Sequence, residues 1–193
     1  VLALLGLAIL IPAWAWLPPP DRASTTRAGS VMSDRPPSQR FMRLLILAYF
    51  CAGVGYVVSA TFIVAIIERL PGLEGKGNWS FMLLGLAATP ACIIWDLVAR
   101  RIGELNALIT AFTLQILGIL LPIISNDLLL TMLSAILFGG TFIGIVSLVL
   151  TMAGRYYPTR PAKMMGKMTI SYGIAQISAP AITGLIAVYS GSY

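Results

Sequence analysis

The stretch Cys92–Leu105, CIIWDLVARRIGEL, decides how the rest of the chain is read. It gathers Asp96, Arg100, Arg101 and Glu104 within nine positions, directly after Trp95 and between two runs that carry no charge. Those runs, 79–95 and 105–125, lack Asp, Glu, Lys and Arg altogether, and a bilayer-spanning helix needs about 20 such apolar residues. Working outward, four more charge-free segments follow the same rule: 1–17 (VLALLGLAILIPAWAWL), 44–67, 128–152 and 168–189. The segment 79–95 is short and holds Pro90, which neighbouring helices can accommodate in a membrane. Barrel strands are excluded, because none of these runs alternates in polarity over about 10 residues.

Composition agrees. The 193 residues are 58% hydrophobic and only 10% charged, with a mean hydropathy of +0.89, far too little polar surface for a soluble domain of this size. A net charge of +6 would fit nucleic acid, but the bases sit in connections between apolar helices, so nucleic acid is rejected as a partner and the lipid bilayer is taken instead. Cys51 and Cys92 fall inside apolar runs and are read as buried small hydrophobes. There is no histidine, which removes most metal centres and histidine bases. The acids Asp21, Asp34, Glu68, Glu74, Asp96, Glu104 and Asp127 are spread over connections, so no catalytic residues are nominated and no enzyme, metal or cofactor is expected.

The connections alternate in charge. One set holds Arg22, Arg27, Arg35, Arg40, Arg43, then Arg100 and Arg101, then Arg155, Arg160, Lys163 and Lys167, eleven bases; the other set holds only Arg69 and Lys76. Bases accumulate on the cytoplasmic side, so the linker 18–43, rich in Pro, Ser, Thr and Arg, is expected to be cytoplasmic and flexible. The cluster Asp96–Glu104 becomes a cytoplasmic turn between two helices. Trp14, Trp16, Trp79 and Trp95 all lie at expected helix ends, where indoles anchor at the headgroup level. Residues 1–17 end in AWAW and could be a signal segment, but cleavage there would invert the charge pattern. The chain opens at Val1 within an apolar run and stops just after another, so both ends are read as cut.

The arrangement WDLVARRIG has a local logic, since Asp96 can bond backbone N–H groups at a helix N-terminus while Arg100 and Arg101 reach carboxylates or carbonyls nearby. It also resembles the G-x-x-x-D-R-x-G-R-R signature of the major facilitator superfamily: Asp96, Arg100 and Arg101 match, whereas Cys92, Leu97 and Ala99 stand where the pattern has Gly, Arg and Gly. The stretches FCAGVGYVVSATFIVAI, LFGGTFIGIVSLVLTMAGR and Ala153–Gly184 are similar to the bacterial YbfB/YjiJ-like branch of that superfamily, and the resemblance runs over residues 1–193.

The resemblance implies an all-α polytopic transmembrane bundle, the carboxyl-terminal half of the superfamily fold. Residues 1–17 would end helix 6, 18–43 would be the central linker, and 44–193 would hold helices 7 to 11 at about 44–67, 79–95, 105–125, 128–152 and 168–189. The amino-terminal half of the same chain would be its partner. The function implied is secondary active transport of a small solute by alternating access in the bacterial cytoplasmic (inner) membrane. A non-transporting sensor or assembly scaffold on the same fold is the alternative. Asp96, Arg100 and Arg101 would form a gating turn, with Asp96 facing the start of helix 5.

In that superfamily helices 7 and 10 line the central cavity, with helices 8 and 11 beside them, so the resemblance implies cavity candidates on helices 7, 10 and 11. Tyr49, Gly53, Tyr56 and Ala60 recur at helical spacing and share a face, as do Tyr172 and Gln176 on the last segment. Thr141 stands beside the small-residue pair Gly140 and Gly144. Gln115, on the outer helix, is expected to be structural. No Asp, Glu, His, Lys or Arg lies within the five expected helices, so any proton carrier is sought elsewhere.

Overall fold

A computed structural model describes residues 33–68, 75, 77–124 and 127–190. The segment 1–17 with Trp14 and Trp16, linker residues 18–32, and Arg69 and Lys76 lie outside the described residues. The described chain forms α1 (Gln39–Glu68), α2 (Gly77–Ala88), α3 (Ala91–Ile102), α4 (Glu104–Ile124), α5 (Leu128–Tyr156) and α6 (Pro161–Ser190), with no strand among the described residues. Four of these are long and apolar enough to cross a membrane, and α2 with α3, taken together as one bent pair, reach the same length and apolarity.

That bend corrects the reading of 79–95 as one helix. Two helices meet at 46° across Thr89 and Pro90. Proline has no N–H to offer and its ring crowds the preceding turn, so the ladder breaks there; the Thr89 hydroxyl donates to the Gly85 carbonyl at 3.0 Å, occupying an acceptor near the break. The helices also outrun the charge-free segments. α1 starts at Gln39, before 44, α5 continues to Tyr156, and α6 starts at Pro161 instead of 168. Charged side chains stop an apolar count but do not stop a backbone from staying helical into the headgroup zone. Asp96, Arg100 and Arg101 accordingly stand in the last turns of α3, and the turn itself is Gly103 alone, at φ +87 and ψ 152, a conformation that favours glycine.

α5 is the hub. It packs against α2, α3, α4 and α6, while α1 pairs chiefly with α6. The reason lies in small side chains along α5 and its neighbours, which let helix backbones approach where lipid offers no hydrophobic drive for association. A Cβ on Gly118 of α4 would meet the Phe138 nitrogen of α5 at 3.1 Å, and the Ser134 hydroxyl donates to the Gly118 carbonyl across the same seam. A Cβ on Gly139 would strike the Leu84 backbone of α2, and one on Gly144 would overlap the Trp95 ring of α3.

Trp95 is therefore no interfacial anchor. It is 6% exposed and its Nε1–H donates to the Gly140 carbonyl at 2.7 Å, so it belongs to the α3–α5 seam. Trp79, at 61% exposure, does stand on the surface as expected. Cys51 and Cys92 depart from their reading too: both are free and exposed on the bundle. An apolar run does not say which of its faces a neighbouring helix will cover.

Candidate functional site

Two groupings of side chains stand out. The first is aromatic. Tyr49 and Tyr56 lie two turns apart on α1, and the α1–α6 crossing is close because Gly53 sits between them; a Cβ there would meet the Ala175 Cβ at 3.0 Å and the Tyr172 carbonyl oxygen at 3.2 Å. Through that gap Tyr172 of α6 reaches both phenols, with ring centroids 4.7 Å from Tyr49 and 6.2 Å from Tyr56. Tyr56 also stacks on Phe142 of α5 at 4.6 Å and 19°, and on Phe138 at 6.1 Å and 5°. Five rings from three helices thus form one continuous cluster, with centroid spacings in the range where aromatic pairs attract.

The structure brings Tyr49, Tyr56 and Tyr172 together. Tyr49 is only 2% exposed, whereas Tyr56 and Tyr172 are half-buried. Gln176, half-buried, stands one turn beyond Tyr172 on α6. Thr141 is placed differently: it is buried, and its hydroxyl donates within its own helix to the carbonyls of Leu137 at 2.8 Å and Phe138 at 3.2 Å. Phe138 and Phe142 were not singled out from the sequence. The available signal was their i, i+4 spacing on a helix whose neighbours are small.

The second grouping is ionic, at the end of the bundle where α1 and α6 begin and α3 and α5 finish. Arg100 Nε donates to Asp96 Oδ2 at 2.8 Å, a pair one helical turn apart on α3. Arg155, in the last turn of α5, bonds Glu104 at the first turn of α4. A groove beside them is lined by Asp96, Arg100, Glu104, Ser147, Thr151 and Arg155. The end of the linker joins the same face: the Arg35 N–H donates to the Tyr156 carbonyl at 3.0 Å, and Asp34 Oδ1 accepts from the Thr159 N–H at 3.1 Å and hydroxyl at 2.7 Å. Phe41 meets Tyr156 edge to face at 6.2 Å. The described end of the linker and the α3–α4 and α5–α6 connections therefore gather at one end. At the opposite end Glu68 clamps the start of α2, accepting from the Gly75 N–H at 2.9 Å and the Gly77 N–H at 3.1 Å.

The rings offer apolar faces and phenol hydroxyls; no nucleophile–base pair accompanies them, and no group of three metal-ligating side chains exists among the described residues.

Comparison with known proteins joins this geometry to a lineage. No curated protein matches the chain, and no solved structure does. A family model does match, over residues 1–193, and its description is "Uncharacterised MFS-type transporter YbfB". With its described residues forming an all-helical bundle of apolar, membrane-length helices, the chain belongs to the YbfB family of MFS-type transporters.

Proposed function

We propose that the chain is the carboxyl-terminal half of a secondary active transporter, moving a small solute by alternating access in a bacterial cytoplasmic membrane, with residues 33–43 on the cytoplasmic side. The observation that carries this reading is the ring cluster of Tyr49, Tyr56 and Tyr172 with Phe138 and Phe142, contributed by three helices of a chain whose family is one of transporters. α1, α5 and α6 correspond to helices 7, 10 and 11 of the superfamily resemblance. Tyr56, Tyr172 and Gln176 meet the solute with phenol, aromatic face and amide, while Tyr49 holds Tyr172 in place. The five charge-free segments from 44 to 189 contain no Asp, Glu, His, Lys or Arg, so this half supplies neutral contacts and any coupling carboxylate lies outside these segments.

The Asp96–Arg100 pair is the gate in this proposal. In the closed state Asp96 exchanges its partner on its own helix for a helix N-terminus of the other half, two charge-assisted bonds of similar strength that tip with small motions. The orientation is supported by the collection of bases at one end of the bundle.

The test is solute counterflow in vesicles containing the full-length protein, using a panel of labelled sugars, amino acids, organic acids and cationic amphiphiles. A solute that accumulates with wild type and falls at least about tenfold with Tyr56→Ala, the protein level being equal, supports the reading. If folded protein moves none of the panel above empty vesicles, a sensor or scaffold on this fold is the better description. Asp96→Asn that leaves the inward and outward populations unchanged removes the gate.

A further inference from the structure

Beside the α5–α6 turn lies a cavity that the proposed function leaves unassigned. Its volume is about 310 Å³, and Arg160, Lys163 and Lys167 line it together with Tyr157, Thr159 and Asp34. The three bases follow an i, i+3, i+7 pattern across the start of α6, so they project toward one side. Their position at the helix N-terminus adds the positive end of the backbone dipole.

What separates this cavity from the neighbouring ionic groove is neutralisation. There, Arg100 and Arg155 have Asp96 and Glu104, and these are the two ion pairs among the described residues. Here, none of Arg160, Lys163 and Lys167 has a carboxylate within ion-pairing distance among the described residues. The single acid of the lining, Asp34, has its Oδ1 held by the Thr159 N–H and hydroxyl. Three cations against one engaged carboxylate, in a concave wall at the headgroup end of a membrane bundle, repel one another until an anion enters. Tyr157 adds a hydroxyl group to the lining for a remaining oxygen of that anion.

We propose that this cavity binds a phosphate group, presented either by an anionic phospholipid headgroup or by free phosphate, with Arg160, Lys163 and Lys167 as its cationic ligands and Asp34 as a built-in charge that weakens it. The proposal is independent of which solute is transported. Lys and Arg clustered at the end of a membrane helix attract anionic headgroups, each one near the surface contributing about 1 kcal/mol, which is about fivefold in affinity.

The experiment titrates the full-length protein in neutral detergent with dioleoyl-phosphatidylglycerol, with dioleoyl-phosphatidylcholine, and with inorganic phosphate, reading bound ligand by native mass spectrometry. Wild type is expected to retain phosphatidylglycerol over phosphatidylcholine. The pair Lys163→Gln and Lys167→Gln should weaken phosphatidylglycerol by about 30-fold, and the pair Lys163→Arg and Lys167→Arg should keep it. Asp34→Asn, which keeps an acceptor for Thr159 while losing the charge, should tighten binding by about fivefold, a change of sign that a merely structural role would not produce. Inorganic phosphate that binds alone with the same dependence on both substitutions identifies free phosphate as the source; phosphatidylglycerol that binds while inorganic phosphate does not identifies the lipid. If neither probe responds to the glutamine pair, or if Asp34→Asn leaves binding unchanged or weaker, the proposal is overturned. Should the glutamine pair fail to fold, Asp34→Asn decides alone.

Discussion

Two buried side chains, Gln115 and Trp95, face the same problem of placing polar atoms away from water, and they resolve it differently. Trp95 spends its one donor on the Gly140 carbonyl, so its ring fills the α3–α5 seam without an unmet group. Gln115 is 3% exposed, and neither its amide oxygen nor its amide nitrogen has a hydrogen-bond partner among the described residues. It borders a groove between α1 and α4 walled by Ala48, Ala52, Gly55, Phe112 and Ile119. A buried amide left without partners costs about 1–3 kcal/mol, so Gln115→Leu should leave stability unchanged or raise it by up to that amount. Thermal unfolding of the purified protein in detergent measures this, and a loss beyond 1 kcal/mol would mean that the amide bonds something in the folded protein. The expectation from the sequence that Gln115 is structural named its helix but not its unmet amide. Burial of one face of α4 becomes visible only once α1 and α5 are placed beside it.

At the scale of elements, α5 is organised by where its glycines fall. Gly140 and Gly144 are spaced as a small-residue packing pair, yet they do different work. A Cβ on Gly144 would overlap the Trp95 ring, whereas one on Gly140 would find its nearest neighbour, the Ala87 oxygen, at an ordinary 3.9 Å. Gly144→Ala must therefore push Trp95 off the Gly140 carbonyl and should destabilise by about 1–3 kcal/mol. Gly140→Ala, placed in a helix with room for the methyl group, should cost nothing and can gain up to about 1 kcal/mol of helix propensity. Urea or thermal titrations of the two variants side by side check this; equal costs would show that the seam relaxes around both. The periodicity of small residues was legible in the sequence, and it named a helix–helix contact. It did not name Gly139 against Leu84, because the partner helix α2 ends at a proline break whose angle the sequence does not state.

Across the whole molecule, connections distant in sequence meet at one end. Glu104 with Arg155, Asp34 with Thr159 and Arg35 with Tyr156 tie the linker end to the α3–α4 and α5–α6 turns. In a background with Cys51→Ala and Cys92→Ala, a membrane-impermeant maleimide applied to intact cells should label Asp127→Cys and should label Thr159→Cys only after permeabilisation. The reverse pattern would turn the proposed orientation over. Much of this was readable in one dimension. A run without charge has to be helical in hydrocarbon, because every backbone N–H and C=O must be satisfied within the segment, so the all-α class, the approximate spans and the alternation of bases followed from residue order alone. Helical spacing likewise put Tyr49 and Tyr56 on one face. The tertiary structure decided everything that depends on which helix lies beside which: that Tyr172 enters between those two phenols over Gly53, that Phe138 and Phe142 extend the cluster, that Thr141 turns back to its own carbonyls, and that Trp95 is core. The physical reason is that burial in hydrocarbon is nearly indifferent to which apolar face meets lipid and which meets protein. Close packing and hydrogen bonding select the neighbour, and these are properties of pairs of helices that no single segment contains.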